Sequence, residues 1–354
     1  MDAARTTAAP RGGRRGPAFD LASSLWFGLI GYVTLLFVFR AMNFNAELLH
    51  RHSWGESQYA MWARGFLEHG LVFGHYEQDL LKPGFCHYVP VASLLAAAIS
   101  GVLKTDLVLT GRGLSFLLSI VTALCFYRLA LVVFGQRLDA AAALLIFTAA
   151  PLNMYFSRTF YNDPIHLCLL VAFCCAMVTL PRGESDRKRL FLVSALWLLV
   201  LLTKPTTLLI CAPPLAAYAI WQWRSRNLRW GEWVALTVPV LLATSLVSFS
   251  RAVAPGWRFT ERYSLSGTEV WHNFPTYISQ LLEQYAMEFN RGFLLFLVGF
   301  ALAVRGGPLI RTAALMVLGF GALVLTFIRG AIDHQYYSLP LLIPFALLAA
   351  HAVR

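Results

Sequence analysis

The chain has 354 residues, of which 58% are hydrophobic and 13% charged, with a mean hydropathy of +0.61. A water-facing globular surface takes roughly 25% charged residues, so this composition excludes a soluble domain. Its solid apolar blocks, rather than short alternating segments, also exclude a β-barrel. The net charge of +11 would suggest a nucleic-acid partner in a soluble protein. Here the Lys and Arg residues sit in short connections between apolar blocks, the pattern of cytoplasmic loops, and no nucleic-acid partner is expected.

Residues 1–20, basic and rich in Gly and Ala, are expected to form a disordered cytoplasmic tail, followed by one membrane module over 21–354. The block 21–42 is too long for a signal-peptide core and lacks a small-residue cleavage site, so it reads as the first span. Further apolar blocks follow at 86–103, 113–134, 139–157, 163–181, 190–203, 205–222, 231–250, 291–304, 312–328 and 337–352. Arg5, Arg11, Arg14 and Arg15 place the N-terminus in the cytoplasm. The other basic loops hold Arg182/Arg187/Lys188/Arg189, Arg224/Arg226/Arg229 and Arg305/Arg311. All three reach the cytoplasm only if one block between 43 and 181 fails to cross. The block 86–103 is the one to demote: it carries Pro90, is barely long enough, and ends in Lys104–Thr105–Asp106. It is expected to lie on the surface or re-enter the membrane. The expected fold is an all-α integral membrane protein of about ten transmembrane helices with both termini inside. Its exterior loops are 43–112, 251–290 and 329–337, the first containing juxtamembrane amphipathic helices. Without an organelle signal, a bacterial inner membrane is the expected location, with the chemistry on the exterior, periplasmic face.

The first exterior loop carries His50–Arg51–His52–Ser53–Trp54–Gly55–Glu56. From Glu56 onward Tyr59, Trp62, Ala63 and Phe66 share one helical face, which predicts an amphipathic helix at the interface. Glu56 sits where the helix dipole favours a carboxylate in any case. Lys82 beside Pro83–Gly84, at the mouth of a helix and shortly before His87, can contact an anion or snorkel. Asp163 stands just before Pro164, an ordinary capping place, with Arg158 five residues earlier. Lys204–Pro205 lies between two apolar halves, where a charge is costly unless it meets water or an anion. The last exterior turn collects His334, Tyr336 and Tyr337. Five of the six cysteines lie inside apolar runs, with no CxxC pair, and read as small buried hydrophobes. No metal-ligand spacing is present and no cofactor is required; a divalent cation held by Glu56, Asp163 and His334 stays open.

In chain order these segments are Trp–x–Glu–x–x–Tyr–Ala, Lys–Pro…Tyr, Arg–x–x–x–x–Asp–Pro, Leu–Thr–Lys–Pro–Thr and His–x–Tyr–Tyr…Leu–Pro–Leu–Leu–x–Pro. Together, over roughly residues 20–352, the chain resembles the polytopic glycosyltransferases of the GT-C fold that use lipid-linked sugars. It is nearest in look to the protein O-mannosyltransferase and lipid A aminoarabinose transferase branch. The resemblance implies transfer of a sugar from a polyprenyl-phosphate carrier to a hydroxyl of a lipid, glycan or protein acceptor. A carboxylate, Glu56 or Asp163, would take the acceptor's proton. Lys82, His87, Arg158, Lys204, His334, Tyr336 and Tyr337 would bind the donor and its leaving phosphate. One departure stands out: the family has an Asp–Glu pair where this chain has Gly55–Glu56. Non-enzymatic alternatives are a flippase or transporter of lipid-linked sugars, or a catalytically altered relative. A transporter would show internal repeats, and none is evident.

Overall fold

The computed structural model describes residues 21–42, 53–70, 75–76, 83–84, 89–179, 187–225, 230–253, 273–289 and 292–354. Within them the chain is helical apart from one two-residue antiparallel ladder, His75–Tyr76 (β1) against Pro83–Gly84 (β2), in register His75 to Gly84. Pro83–Gly84 is therefore ladder, where the sequence pattern predicts a turn at a helix mouth. Lys82 and His87 lie outside the described residues, as do the tail 1–20 and the side chain of Trp54.

The first half runs α1 (Leu21–Ala41), α2 (Ser53–His69), α3 (Val91–Leu103), α4 (Leu107–Phe134), α5 (Arg137–Ala149), α6 (Pro151–Phe156) and α7 (Asp163–Thr179). The expected amphipathic helix is α2, and its predicted face is the buried one: Tyr59, Trp62, Ala63 and Phe66 are at most 6% exposed. That face packs on α3, whose Ala92, Ala96 and Ala97 let the two helices close up. Ser93 Oγ donates to Tyr59 O at 2.8 Å across the seam. At 13 residues, α3 is about 20 Å long against a hydrocarbon core of about 30 Å. The demoted block is thus a short helix folded onto α2.

Helix α4 starts earlier than the apolar block alone implies. Asp106 accepts from Leu109 N–H at 2.8 Å as its N-cap, and Gly135, at φ 69°, closes it in the left-handed conformation. Arg112 consequently lies inside a helix, not at the end of the exterior loop. The block 139–157 is divided by Pro151, which forces Ala150 out of the helical region (ψ 126°) and starts α6.

The second half runs α8 (Arg187–Thr203), α9 (Thr207–Arg224), α10 (Trp230–Val253), α11 (Phe274–Phe289), α12 (Gly292–Leu302), α13 (Pro308–Thr326), α14 (Ile328–Asp333) and α15 (Leu342–Val353). A 3₁₀ turn, Gln335–Leu341, leads into α15. Parts of the expected exterior loops 251–290 and 329–337 are therefore helical.

Long apolar side chains face outward around the bundle, among them Leu124, Phe191, Leu241 and Leu294, each at least 60% exposed. Such continuous apolar exposure suits a lipid solvent. Between helices the contacts are close: a Cβ on Gly299 (α12) would run into the Leu348 carbonyl of α15, and one on Gly319 (α13) into the Ile210 carbonyl of α9. Lipid removes the hydrophobic drive between helices, so close approach through small residues supplies the packing. By length and composition three described helices can cross a membrane: Leu107–Phe134, Pro308–Thr326 and Gln335–Val353. The bent pair Phe274–Phe289 and Gly292–Arg305 adds a fourth if counted as one span.

Long-range contacts gather at two places in the bundle. At one end Arg158 reaches Met42 O at the close of α1, Phe160 meets α2, and Lys204 between α8 and α9 meets the 335–341 turn. At the other end Arg189 reaches Thr179 O, and Arg354 lies 3.5 Å from Asp139. There too Gln222 Nε2 donates to Glu232 at 2.8 Å.

Candidate active site

The segment 157–163 between α6 and α7 is the hub, because successive residues reach different elements. Phe160 N–H donates to Glu56 Oε1 at 2.6 Å. Asn162 accepts from Ala92 N–H at 3.1 Å and donates to the carbonyls of Val89 and Thr203, both at 3.2 Å. Asp163 opens α7 and receives Lys204 Nζ at 2.7 Å. One seven-residue turn thereby ties the α2–α3 pair to the α8–α9 break.

Glu56 is fully buried. Arg112 holds both of its oxygens in a fork, Nε to Oε1 at 3.1 Å and Nη2 to Oε2 at 2.8 Å. With Phe160 N–H added, this carboxylate is stabilised as an anion by three donors. Arg112 is absent from the sequence-derived site set. The signal was available, since an Arg one and a half turns into an apolar helix implies a buried partner, but its placement in a loop hid it.

Asp163 and Lys204 form the second charged pair, with side chains 7% and 11% exposed. Lys204 Nζ also donates to Tyr336 O at 3.2 Å and lies over two rings, 5.0 Å from that of Tyr336 and 4.5 Å from that of Tyr337. Burial pushes the Lys204 amine below the ordinary lysine range, and the Asp163 carboxylate opposes that shift. His334 stacks on Tyr336 with ring centroids 5.2 Å apart. Asp163, Lys204, His334, Tyr336 and Tyr337, distant in sequence, thus occupy one cluster. Arg158 stands apart from it, reaching Met42 O at 3.5 Å. Glu56, Asp163 and His334 do not gather: among the described residues no three His, Cys, Asp or Glu side chains are grouped to hold a metal.

Tyr161 explains Gly55. A Cβ at position 55 would collide with the Tyr161 phenol, whose hydroxyl occupies the space a larger residue would need. The ring is 1% exposed and packs against Tyr59, Phe156 and Tyr336 at centroid distances of 5.3, 5.5 and 5.9 Å. Burial foremost, then the neighbouring Tyr155 and the charges of Asp163 and Glu56, push its pKa above the ordinary phenol value, so it stays protonated. The phenol therefore stands where it feels both carboxylates.

Comparison with known proteins agrees with this architecture. Residues 87–249 match the model of the family described as dolichyl-phosphate-mannose-protein mannosyltransferase. No curated protein matches the chain in sequence. The crystal structure of ArnT from Cupriavidus metallidurans bound to undecaprenyl phosphate superposes with a TM-score of 0.68 at 16% identity. The apo state of the same protein gives 0.63 at 17%. Each alignment covers 94% of this chain but 60% of the ArnT chain, so the chain spans about three-fifths of the length of those structures. The ordered motifs, the match over 87–249 and the shared fold all make this chain similar to the GT-C glycosyltransferases of lipid-linked sugars.

Proposed function

We propose that the protein transfers a sugar from a polyprenyl-phosphate carrier to an acceptor hydroxyl on the exterior face of a membrane. The observation that carries this reading is the Asp163–Lys204 pair under the Tyr336 and Tyr337 rings, at the end of the bundle shared by the expected exterior connections. Transfer needs a carboxylate to take the acceptor's proton as its oxygen attacks the anomeric carbon, and a cation for the departing phosphate. Asp163 suits the first role better than Glu56, whose oxygens are committed to Arg112 and Phe160. Lys204 suits the second. A single displacement inverts the anomeric centre. The aromatic rings beside the pair offer faces on which a sugar can stack, and the isoprenoid tail would lie along the outward apolar helix faces. ArnT, bound to undecaprenyl phosphate in its crystal structure, supports a donor of that class.

The ten-span topology belongs to the same proposal. Counting α5 with α6, the rods are α1, α4, α5/α6, α7, α8, α9, α10, α12, α13 and α15, with α11 in the expected exterior loop 251–290. Their alternating direction returns the basic connections near 182–189 and 224–229 to the side opposite the Asp163 cluster, as the charge bias requires. In this reading both termini lie in the cytoplasm and the site faces the periplasm of a bacterial inner membrane.

Purified protein given a polyprenyl-phosphate sugar and a crude envelope acceptor fraction should release polyprenyl phosphate. Absence of release together with intact transbilayer movement of the lipid would instead establish the flippase reading.

A further inference from the structure

We propose that His166, which no motif marks, is the positioning residue that sets Lys204 for the departing phosphate; this rests on the transfer reading above. His166 lies one turn below Asp163 on α7 and is 1% exposed. Its ring bridges the break between α8 and α9: Nδ1 is 2.9 Å from Thr203 Oγ1 and Nε2 is 2.9 Å from Thr207 Oγ1. Those two threonines bracket the 204–206 turn that carries the amine.

The hydrogen bonds also assign the tautomer. Thr203 Oγ1 spends its one hydrogen on the Leu199 and Val200 carbonyls, both at 2.9 Å. It can therefore only accept from the ring, which makes Nδ1 the protonated nitrogen. Nε2 faces the Thr207 hydroxyl, which can donate to it. The imidazole acts as a two-ended strut between the two threonines. Two further contacts complete the frame: Asn162 Nδ2 holds the Thr203 carbonyl, and Thr207 N–H donates to Lys204 O at 3.0 Å. The helix α7 thus presents Asp163 directly to the amine and fixes, through His166, the turn from which that amine projects. A bridging hydrogen-bond network of this kind specifies geometry where a lone lysine would sample many rotamers.

The test uses the full chain in lipid nanodiscs, with His166→Leu, His166→Gln, Lys204→Met and the Lys204→Met/His166→Leu pair. Two quantities are read: affinity for undecaprenyl phosphate, and the rate at which a small amine-acylating reagent labels Lys204, followed by mass spectrometry. His166→Leu should weaken undecaprenyl phosphate binding about tenfold or more and speed labelling of Lys204 several-fold. His166→Gln, which keeps a donor and an acceptor on one side chain, should restore most of both. In the Lys204→Met background the His166→Leu change should cost no further affinity. Equal losses in both backgrounds, or unchanged labelling of Lys204 in a folded His166→Leu protein, would overturn the role. Failure of the wild type to bind the lipid would instead overturn the transfer reading, while the labelling comparison would still decide the role of His166 as a strut for Lys204.

Discussion

At the scale of single residues, two carboxylates with similar sequence credentials have different surroundings. Glu56 is fully buried in an arginine fork, whereas Asp163 meets a partly exposed lysine. Asp163→Asn should therefore lower turnover by roughly 10² or more, read from polyprenyl phosphate release at a temperature where a thermal-shift scan shows the variant folded. Glu56→Ala should act on stability: removing one partner of a buried pair costs about 3–5 kcal/mol. Adding Arg112→Met should recover part of that loss in the same scan, because the stranded guanidinium is gone. Gly55 makes a third case. Gly55→Asp should be poorly tolerated alone, since Tyr161 fills the space, and better tolerated with Tyr161→Ala; yields of folded protein would measure the difference.

At the scale of elements, the 157–163 turn does the work of assembly. Asn162 bridges α3 and the end of α8 through three hydrogen bonds. Asn162→Ala should cost about 1–3 kcal/mol, the range for leaving buried partners unmet. The loss should show first as faster amide exchange at Ala92, whose N–H loses its acceptor. Much of this level could be read from residue patterns. The period of Tyr59, Trp62, Ala63 and Phe66 marked the buried face of α2, and the charge-bias argument singled out 86–103, now the short helix α3. The start of α4 could not be read that way. An Asp cap at 106 extends the helix through polar Thr110, Gly111 and Arg112, and hydropathy alone ends an apolar block where the polar residues begin.

At the scale of the whole molecule, the proposed ten-rod arrangement can be checked by labelling single cysteines in a cysteine-free background. With a membrane-impermeant maleimide on intact cells, Ser266→Cys should react. Ser185→Cys and Asn227→Cys should react only after permeabilisation. Reaction of all three from outside would break the alternating topology. The arrangement also explains why five short, separately weak motifs travel together: even numbers of crossings return the starts of α2, α7, α9 and α15 to one end, where their charged and aromatic residues meet.

The sequence by itself determined the membrane class and most members of the Asp163 cluster. Those follow from hydropathy, charge bias and the cost of ionisable groups in an apolar chain, all of which are local quantities. Only the tertiary structure decided which charges pair. Arg112 takes Glu56 across 56 positions, Lys204 takes Asp163 across 41, and Tyr161 fills the space beside Gly55. Pairing depends on distances between helices, and those distances are set by packing that no single segment contains.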